Sequence, residues 1–175
     1  MERIGIVFGC FIPLHKGHKH LIEESIKDND KTIICVCGYE NDRGEDFIPF
    51  PDRYDLMCRK YENEDVYVIC VDDHKIGLTG LFDTQSWGIW GDEFFSQFYD
   101  KYGLPIDFDK AEVTWYTGEL DYVDKLSSIY TEDNFKYFGR NNINISGTQI
   151  RNNYSSCKHY VDDDFKEYLS RHGIR

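Results

Sequence analysis

No stretch of this 175-residue sequence is apolar for long enough to cross a bilayer, and no basic-then-apolar leader opens it. A membrane span and a secretory signal are therefore not expected, and a cytoplasmic setting is. Metal-spaced cysteines are missing as well: the six cysteines, at 10, 35, 37, 58, 70 and 157, form no CxxC pair. Scattered, mostly buried thiols are the reading, with no metal site. Positive charge is scarce, with 20 Lys and Arg against 32 Asp and Glu, a formal net charge of -12. That balance argues against a general nucleic-acid or membrane-surface binder, which needs a basic face, and it obliges any phosphate site to be locally basic or supplied with a divalent cation. There is no GxxxxGK[ST] loop, no internal repeat and no low-complexity linker. What is present, 41% hydrophobic and 16% aromatic residues, suffices for a core, and residues 1–175 are expected to form one domain.

Strands and helices alternate along the chain. Ile4 to Phe8 is continuously apolar, as a central parallel strand should be, and Thr32 to Gly38 reads as a second strand. Between them Leu21, Ile22, Ser25 and Ile26 mark one side of a helix, which makes a βαβ unit. A second helix opens with Pro51 and Asp52 and turns Tyr54, Met57, Cys58 and Tyr61 to the core. Val66 to Val71 is the third strand, ending in Asp72-Asp73-His74, which reads as polar lining rather than a metal site. Trp87, Trp90, Phe94 and Phe98 recur at three and four residues, the signature of an aromatic helix face. Glu112 to Thr117 and Lys136 to Gly139 supply the fourth and fifth strands. Asp162-Asp163-Asp164 begins a C-terminal helix that carries Phe165, Tyr168, Leu169 and His172. The class is α/β, a parallel sheet flanked by helices with a small helical C-terminal segment.

Two short stretches carry the chemistry. Gly9-Cys10-Phe11-Ile12-Pro13-Leu14-His15-Lys16-Gly17-His18 joins the first strand to a helix N-terminus, where unpaired backbone N–H groups favour an anion. Two histidines astride a glycine set two switchable donors beside that anion. Ile145-Ser146-Gly147-Thr148-Gln149-Ile150-Arg151 stands late in the chain, and alone it is no more than an N-cap before an apolar run. Read for phosphate, its helix N-terminus offers N–H groups and the Ser146 hydroxyl, and Arg151 a forked cation.

In register, Gly9, Phe11, Pro13, His15, Gly17 and His18 resemble the GxFxPxHxGH signature of the HxGH nucleotidyltransferases, and the late stretch is similar to the ISxxxIR signature of that superfamily. The fuller resemblance is to NadR-type nicotinamide-nucleotide adenylyltransferases. It includes the Gly38-Tyr39-Glu40-Asn41-Asp42-Arg43-Gly44 loop, the stretch around Trp87 and Trp90, and Tyr116-Thr117-Gly118-Glu119. The resemblance implies a Rossmann-like sheet and adenylyl transfer from MgATP to nicotinamide mononucleotide, giving NAD and pyrophosphate. It is compatible with a homo-oligomer. His18 would contact the α-phosphate as charge builds, and His15 would hold the ATP phosphates, with Lys16 a weaker candidate. Arg151 and Ser146 would grip the leaving group, while Gly9, Phe11, Gly17 and Thr148 complete the ATP side. Magnesium would travel with ATP, bound by phosphates and water.

The acceptor side is expected around Cys10, Tyr39, Arg43, Trp87 and Trp90. Trp87 suits stacking on a pyridine ring with Trp90 behind it, but the helical spacing equally suits core packing. Arg43 suits a mononucleotide phosphate, or plain solvation in an acidic loop. Two departures from the pattern stand out: Cys10 replaces a small or hydroxylated residue, and Asn152-Asn153-Tyr154 lacks a proline. Larger NadR proteins add kinase and DNA-binding domains, and neither role is expected here. The competing readings are another HxGH transferase, such as a pantetheine-phosphate adenylyltransferase or a cytidylyltransferase, and a non-catalytic nucleotide sensor. The choice between amide and acid mononucleotide is not legible.

Overall fold

The computed structural model describes residues 1–38, 44–78, 83–139 and 143–175. At its centre lies β1 (Arg3–Gly9), whose Ile4, Ile6 and Val7 are all buried, which explains the unbroken apolar run. Around it β2 (Lys31–Cys37), β3 (Val66–Val71), β4 (Glu112–Thr117) and β5 (Asn134–Tyr137) take the order β3-β2-β1-β4-β5. Every pairing is parallel. Helices α1 (Lys16–Asp28), α2 (Phe50–Tyr61), α3 (Thr84–Tyr102) and α4 (Leu120–Ile129) connect successive strands. The short α5 (Gly147–Asn152) and α6 (Tyr154–Cys157), then α7 (Asp163–Arg171), follow β5. This is the Rossmann-like parallel α/β fold the sequence implies, with its helical C-terminal segment. Because β2 and β3 extend the sheet on one side of β1, and β4 and β5 on the other, the strand order reverses between β1 and β4. A crevice opens there, at the carboxyl ends of the strands.

The two-residue period of each strand sorts the core into two layers. Ile4, Ile6, Ile33 and Cys35 pack with Trp87, Trp90, Phe94 and Phe98 of α3. Val7, Ile34 and Val36 pack with Leu21, Ile22 and Met57 and with Phe165 and Leu169 of α7. Cys35 and Cys37 lie on the same face, as their alternation predicts, and burial pushes the Cys35 thiol up.

Three expectations need correction in detail. Ile26 is 43% exposed, and the neighbouring Ser25 is the buried residue, hydrogen-bonded at 2.9 Å to Thr32. On α2, Met57 is buried as expected, but Tyr54, Cys58 and Tyr61 are only partly so, and Arg53 and Leu56 take the inner positions. The fifth strand starts two residues earlier than its apolar pattern suggests, because an edge strand with few inward side chains takes its register from backbone pairing, here Thr114 with Asn134.

Candidate active site

After Gly9 the chain turns sharply. Phe11 takes a left-handed conformation (φ 54), the Ile12–Pro13 peptide is cis, and His15 is extended at the N-cap of α1. A non-glycine residue at positive φ is held there by its surroundings, and such positions gather at ligand sites. Both signature histidines are built into the helix cap. The Gly17 N–H donates to His15 Nδ1 (3.1 Å), and the His15 N–H donates to His18 Nδ1 (3.3 Å). This is a capping box made of two imidazoles. Each Nδ1 accepts, so a neutral ring carries its proton on Nε2. The rings stack with centroids 3.6 Å apart, and Phe11 meets His18 edge-on at 5.0 Å. Gly17 is required by proximity: a Cβ there would lie 2.9 Å from His15 Cε1.

The second motif folds as the sequence suggests and closes on the first. Ser146 caps α5, its hydroxyl accepting from the Gln149 N–H (3.2 Å) while Gln149 Oε1 accepts from the Ser146 N–H (2.9 Å). Arg151 crosses to the first motif, donating to the Ile12 carbonyl (2.8 Å) and to Thr148 Oγ1 (3.2 Å). Gly147 lies so close to this crossing that a Cβ would sit 2.9 Å from Arg151 Nη1 and 3.1 Å from the Ile12 carbonyl oxygen. The C-terminal segment supports the same turn from behind. Val161 bridges His15, the Asp162 N–H donates to the Leu14 carbonyl (3.0 Å), and buried Asp162 pairs with Lys60 (2.7 Å) and Lys19 (3.2 Å). Burial opposes the ionisation of Asp162, but the hydrogen bonds from Lys60 and Lys19 outweigh it and hold the carboxyl below the usual range.

These pieces enclose a cleft of about 240 Å³ at the β1/β4 reversal. His15, His18, Ser146, Thr148 and Arg151 line it, together with Gly9, Cys10, Phe11 and Gly17. Also lining it are residues that neither motif contains: His20, Tyr122, Phe138 and Ile143, beside Thr117, Gly118 and Glu119. The crevice rule for α/β sheets points to the end of β4, but nothing local in the sequence singles out His20 or Phe138. Lys16 is not among the lining residues; it is exposed, with its ammonium over the Tyr160 ring at 5.9 Å. Tyr39 and Arg43 lie outside the described residues. Trp87 and Trp90 do not line the cleft. They are 1% and 0% exposed, and their indole N–H groups have no hydrogen-bond partner among the described residues. Core packing of an amphipathic helix face claimed both. Trp87 still reaches the cleft indirectly, since its ring meets Phe8 at 5.7 Å and Tyr122 at 5.1 Å.

Among the described residues no group of three or more His, Cys, Asp or Glu side chains is placed to hold a metal ion. No helix among them is long and apolar enough to cross a membrane.

A family model described as cytidylyltransferase-like matches residues 6–159, a span that includes both motifs. The chain belongs to the cytidylyltransferase-like family. This cytidylyltransferase-like chain is 28% identical to the trifunctional NAD biosynthesis/regulator protein NadR of Salmonella typhimurium strain LT2, over 97% of its own length and 41% of that protein. A solved NadR structure in complex with NAD and AMP-PNP superposes with a TM-score of 0.70 at 28% identity, covering 92% of this chain and 45% of that one. A 72-residue stretch is 33% identical to the phosphopantetheine adenylyltransferase of Fusobacterium nucleatum, 41% of this chain and 42% of that protein. A bifunctional NMN adenylyltransferase/ADP ribose pyrophosphatase from Francisella tularensis, at 19% identity and a TM-score of 0.68, shares the fold. The chain spans about two-fifths of the length of the curated NadR relatives it matches.

Proposed function

We propose that this cytidylyltransferase-like chain is a nucleotidyltransferase unit that moves the adenylyl group of MgATP to nicotinamide mononucleotide, forming NAD and releasing pyrophosphate. The observation that carries the reading is the convergence of His15, His18, Ser146 and Arg151 on a single cleft, from two motifs more than a hundred residues apart. The likeness to NadR over nearly the whole chain supports the choice of adenylyl donor and pyridine acceptor.

In this reading an oxygen of the acceptor 5′-phosphate attacks the α-phosphorus of ATP. The bond from the α-phosphorus to the α,β-bridging oxygen breaks, and its electron pair leaves with pyrophosphate. The protein contributes position and charge rather than a covalent intermediate. His18 donates from Nε2 to a non-bridging α-phosphate oxygen as negative charge grows there. His15 holds the phosphate chain beside it, and Arg151 and Ser146 receive the leaving pyrophosphate, with the plane of the guanidinium set by Ile12 and Thr148. The wall of the cleft where His20 meets Phe138 edge-on at 5.3 Å takes the adenosine. Cys10 marks the start of the acceptor side, and Trp87 backs the Phe8 and Tyr122 rings instead of stacking directly. Tyr39 and Arg43 remain the proposed contacts to the mononucleotide. Magnesium enters as part of the substrate.

The test is pyrophosphate release from MgATP with three acceptors in parallel: nicotinamide mononucleotide, its deamido form and 4′-phosphopantetheine. Release with either pyridine nucleotide supports the reading and ranks the two. Release with phosphopantetheine alone overturns the acceptor, and silence with all three while ATP binds favours a sensor.

A further inference from the structure

Arg53 belongs to neither motif and is 0% exposed. It sits on α2 one helical turn before Met57, on the face that an amphipathic helix gives to apolar residues. Its guanidinium is bonded on every side. Nη1 donates to the carbonyls of Cys10 (2.7 Å) and Cys37 (2.9 Å), Nε to the carbonyl of Ile48 (3.0 Å), and Nη2 to Glu45 Oε1 (2.5 Å). Glu45 Oε2 in turn accepts the Phe50 N–H at the start of α2 (3.1 Å). Packing alone does not call for such a group. A buried charge seldom outperforms an apolar residue of the same volume, so this arginine, whose partner Glu45 is only half-buried, needs another reason.

The four acceptors supply one. Cys10 lies in the turn of the first motif, Cys37 ends β2, and Glu45 and Ile48 stand on the segment that returns into α2. One planar cation therefore ties the phosphate turn to both flanks of the loop between β2 and α2. Its bond to the Cys10 carbonyl also fixes the next peptide plane. In a trans peptide the N–H opposes the C=O, so the Phe11 N–H is turned away from Arg53. The same geometry is visible at Cys37, where the following Gly38 N–H points the other way, to the Val71 carbonyl (2.8 Å). On the far side of Phe11, the Ile12 carbonyl is held by Arg151 (2.8 Å). The left-handed Phe11 is thus pinned between two arginines, one from each half of the chain.

We propose that Arg53 is a positioning residue of the transfer site, holding the Cys10–Phe11 turn, and through it the His15–His18 pair, in register with the end of β2 and with residues 44–49 ahead of α2. Lysine cannot replace it, because a single ammonium cannot span three carbonyls and a carboxylate set in a plane. The kinetic expectation rests on the function proposed above; the structural expectation does not.

The experiment compares Arg53→Lys and Glu45→Gln with wild type and with Lys31→Ala, a surface change at the opposite end of β2. It reads backbone amide exchange by segment alongside transfer, measured with whichever acceptor wild type uses. In Arg53→Lys, exchange should quicken by about tenfold or more in residues 10–18 and 44–50 while β1, β3 and α3 keep wild-type protection. The transfer kcat should fall by about tenfold or more with little change in the KM for ATP. Glu45→Gln should loosen the same two segments to a smaller extent, and Lys31→Ala neither. Uniformly faster exchange in Arg53→Lys, or unchanged exchange in residues 10–18, overturns the proposal. If Arg53→Lys does not fold, unchanged loop exchange in Glu45→Gln overturns it. A wild type silent with every acceptor defeats the functional reading, and the exchange pattern then decides the role of Arg53 alone.

Discussion

His15 and His18 do two jobs with one ring each. Their Nδ1 atoms close the N-terminus of α1, a task usually given to Ser and Glu, and that fixes the opposite edge of each ring as a donor. The cost of this arrangement falls on Gly17. Alanine there would favour the helix by about 1 kcal/mol, but its Cβ would lie 2.9 Å from His15 Cε1. Gly17→Ala is therefore expected to keep the melting temperature near wild type while transfer drops by about tenfold to a hundredfold, as for other displacements on the order of 1 Å. Parallel melting and steady-state rates check it. At this scale the sequence is a good guide where a motif fixes both residue and spacing, which is why the histidines, Gly17, Ser146 and Arg151 were legible as residues that line one cleft. Arg53 was not, because a charged residue on an amphipathic helix is ordinarily assigned to solvent, and only the three carbonyls it meets reveal otherwise.

Two of the polar groups in the cleft, His15 and Ser146, stand at helix N-caps. Ser146→Ala should cost about 1 kcal/mol of stability by removing the α5 cap. Chemical denaturation reads that loss, and a weakened hold on AMP-PNP should accompany it. α7 is the third such boundary: Asp162 caps it and pairs with Lys19 of α1 and Lys60 of α2. Its folded pKa is depressed, so its contribution is complete above the unfolded carboxylate value near about 4 and is lost as the pH falls through the lower folded value. Asp162→Asn keeps an acceptable cap but no charge. The gap in melting temperature between variant and wild type should be large at neutral pH and shrink on acidification; a gap constant with pH would contradict the assignment. Element existence was readable from hydrophobic period almost throughout. The aromatic stripe of α3 was readable as a stripe, but period alone does not say whether Trp87 faces a ligand or the core, and here the core took it.

For the molecule as a whole, the strand order sets β4 and β5 on one side of β1, and the chain that leaves β5 comes back to the first motif at α5, where Arg151 meets the Ile12 carbonyl. Neither motif reveals that meeting by itself, since sequence distance says nothing of sheet order. The same order leaves β3 at an edge, and it is covered. Tyr102 Oη accepts the Val68 N–H (2.9 Å), and Lys101 donates to the Val68 carbonyl (2.8 Å) and pairs with Glu62 (2.7 Å). Burial pushes the Tyr54 hydroxyl beside them up to about 12, so it stays protonated across the physiological range. Removing both covers with Lys101→Ala and Tyr102→Phe should cost about 1–3 kcal/mol and expose a strand edge that pairs with other copies. Sedimentation at rising concentration would show the association.

The account turns on His18 acting on the α-phosphate during transfer rather than merely holding ATP. The deciding measurement is the rate of pyrophosphate release by His18→Ala, taken with the Kd of the same protein for AMP-PNP and with the preferred acceptor saturating. A fall of about a hundredfold to a thousandfold in rate, with the Kd little changed, is the predicted result. An unchanged rate, or a loss explained wholly by weaker binding, would contradict it.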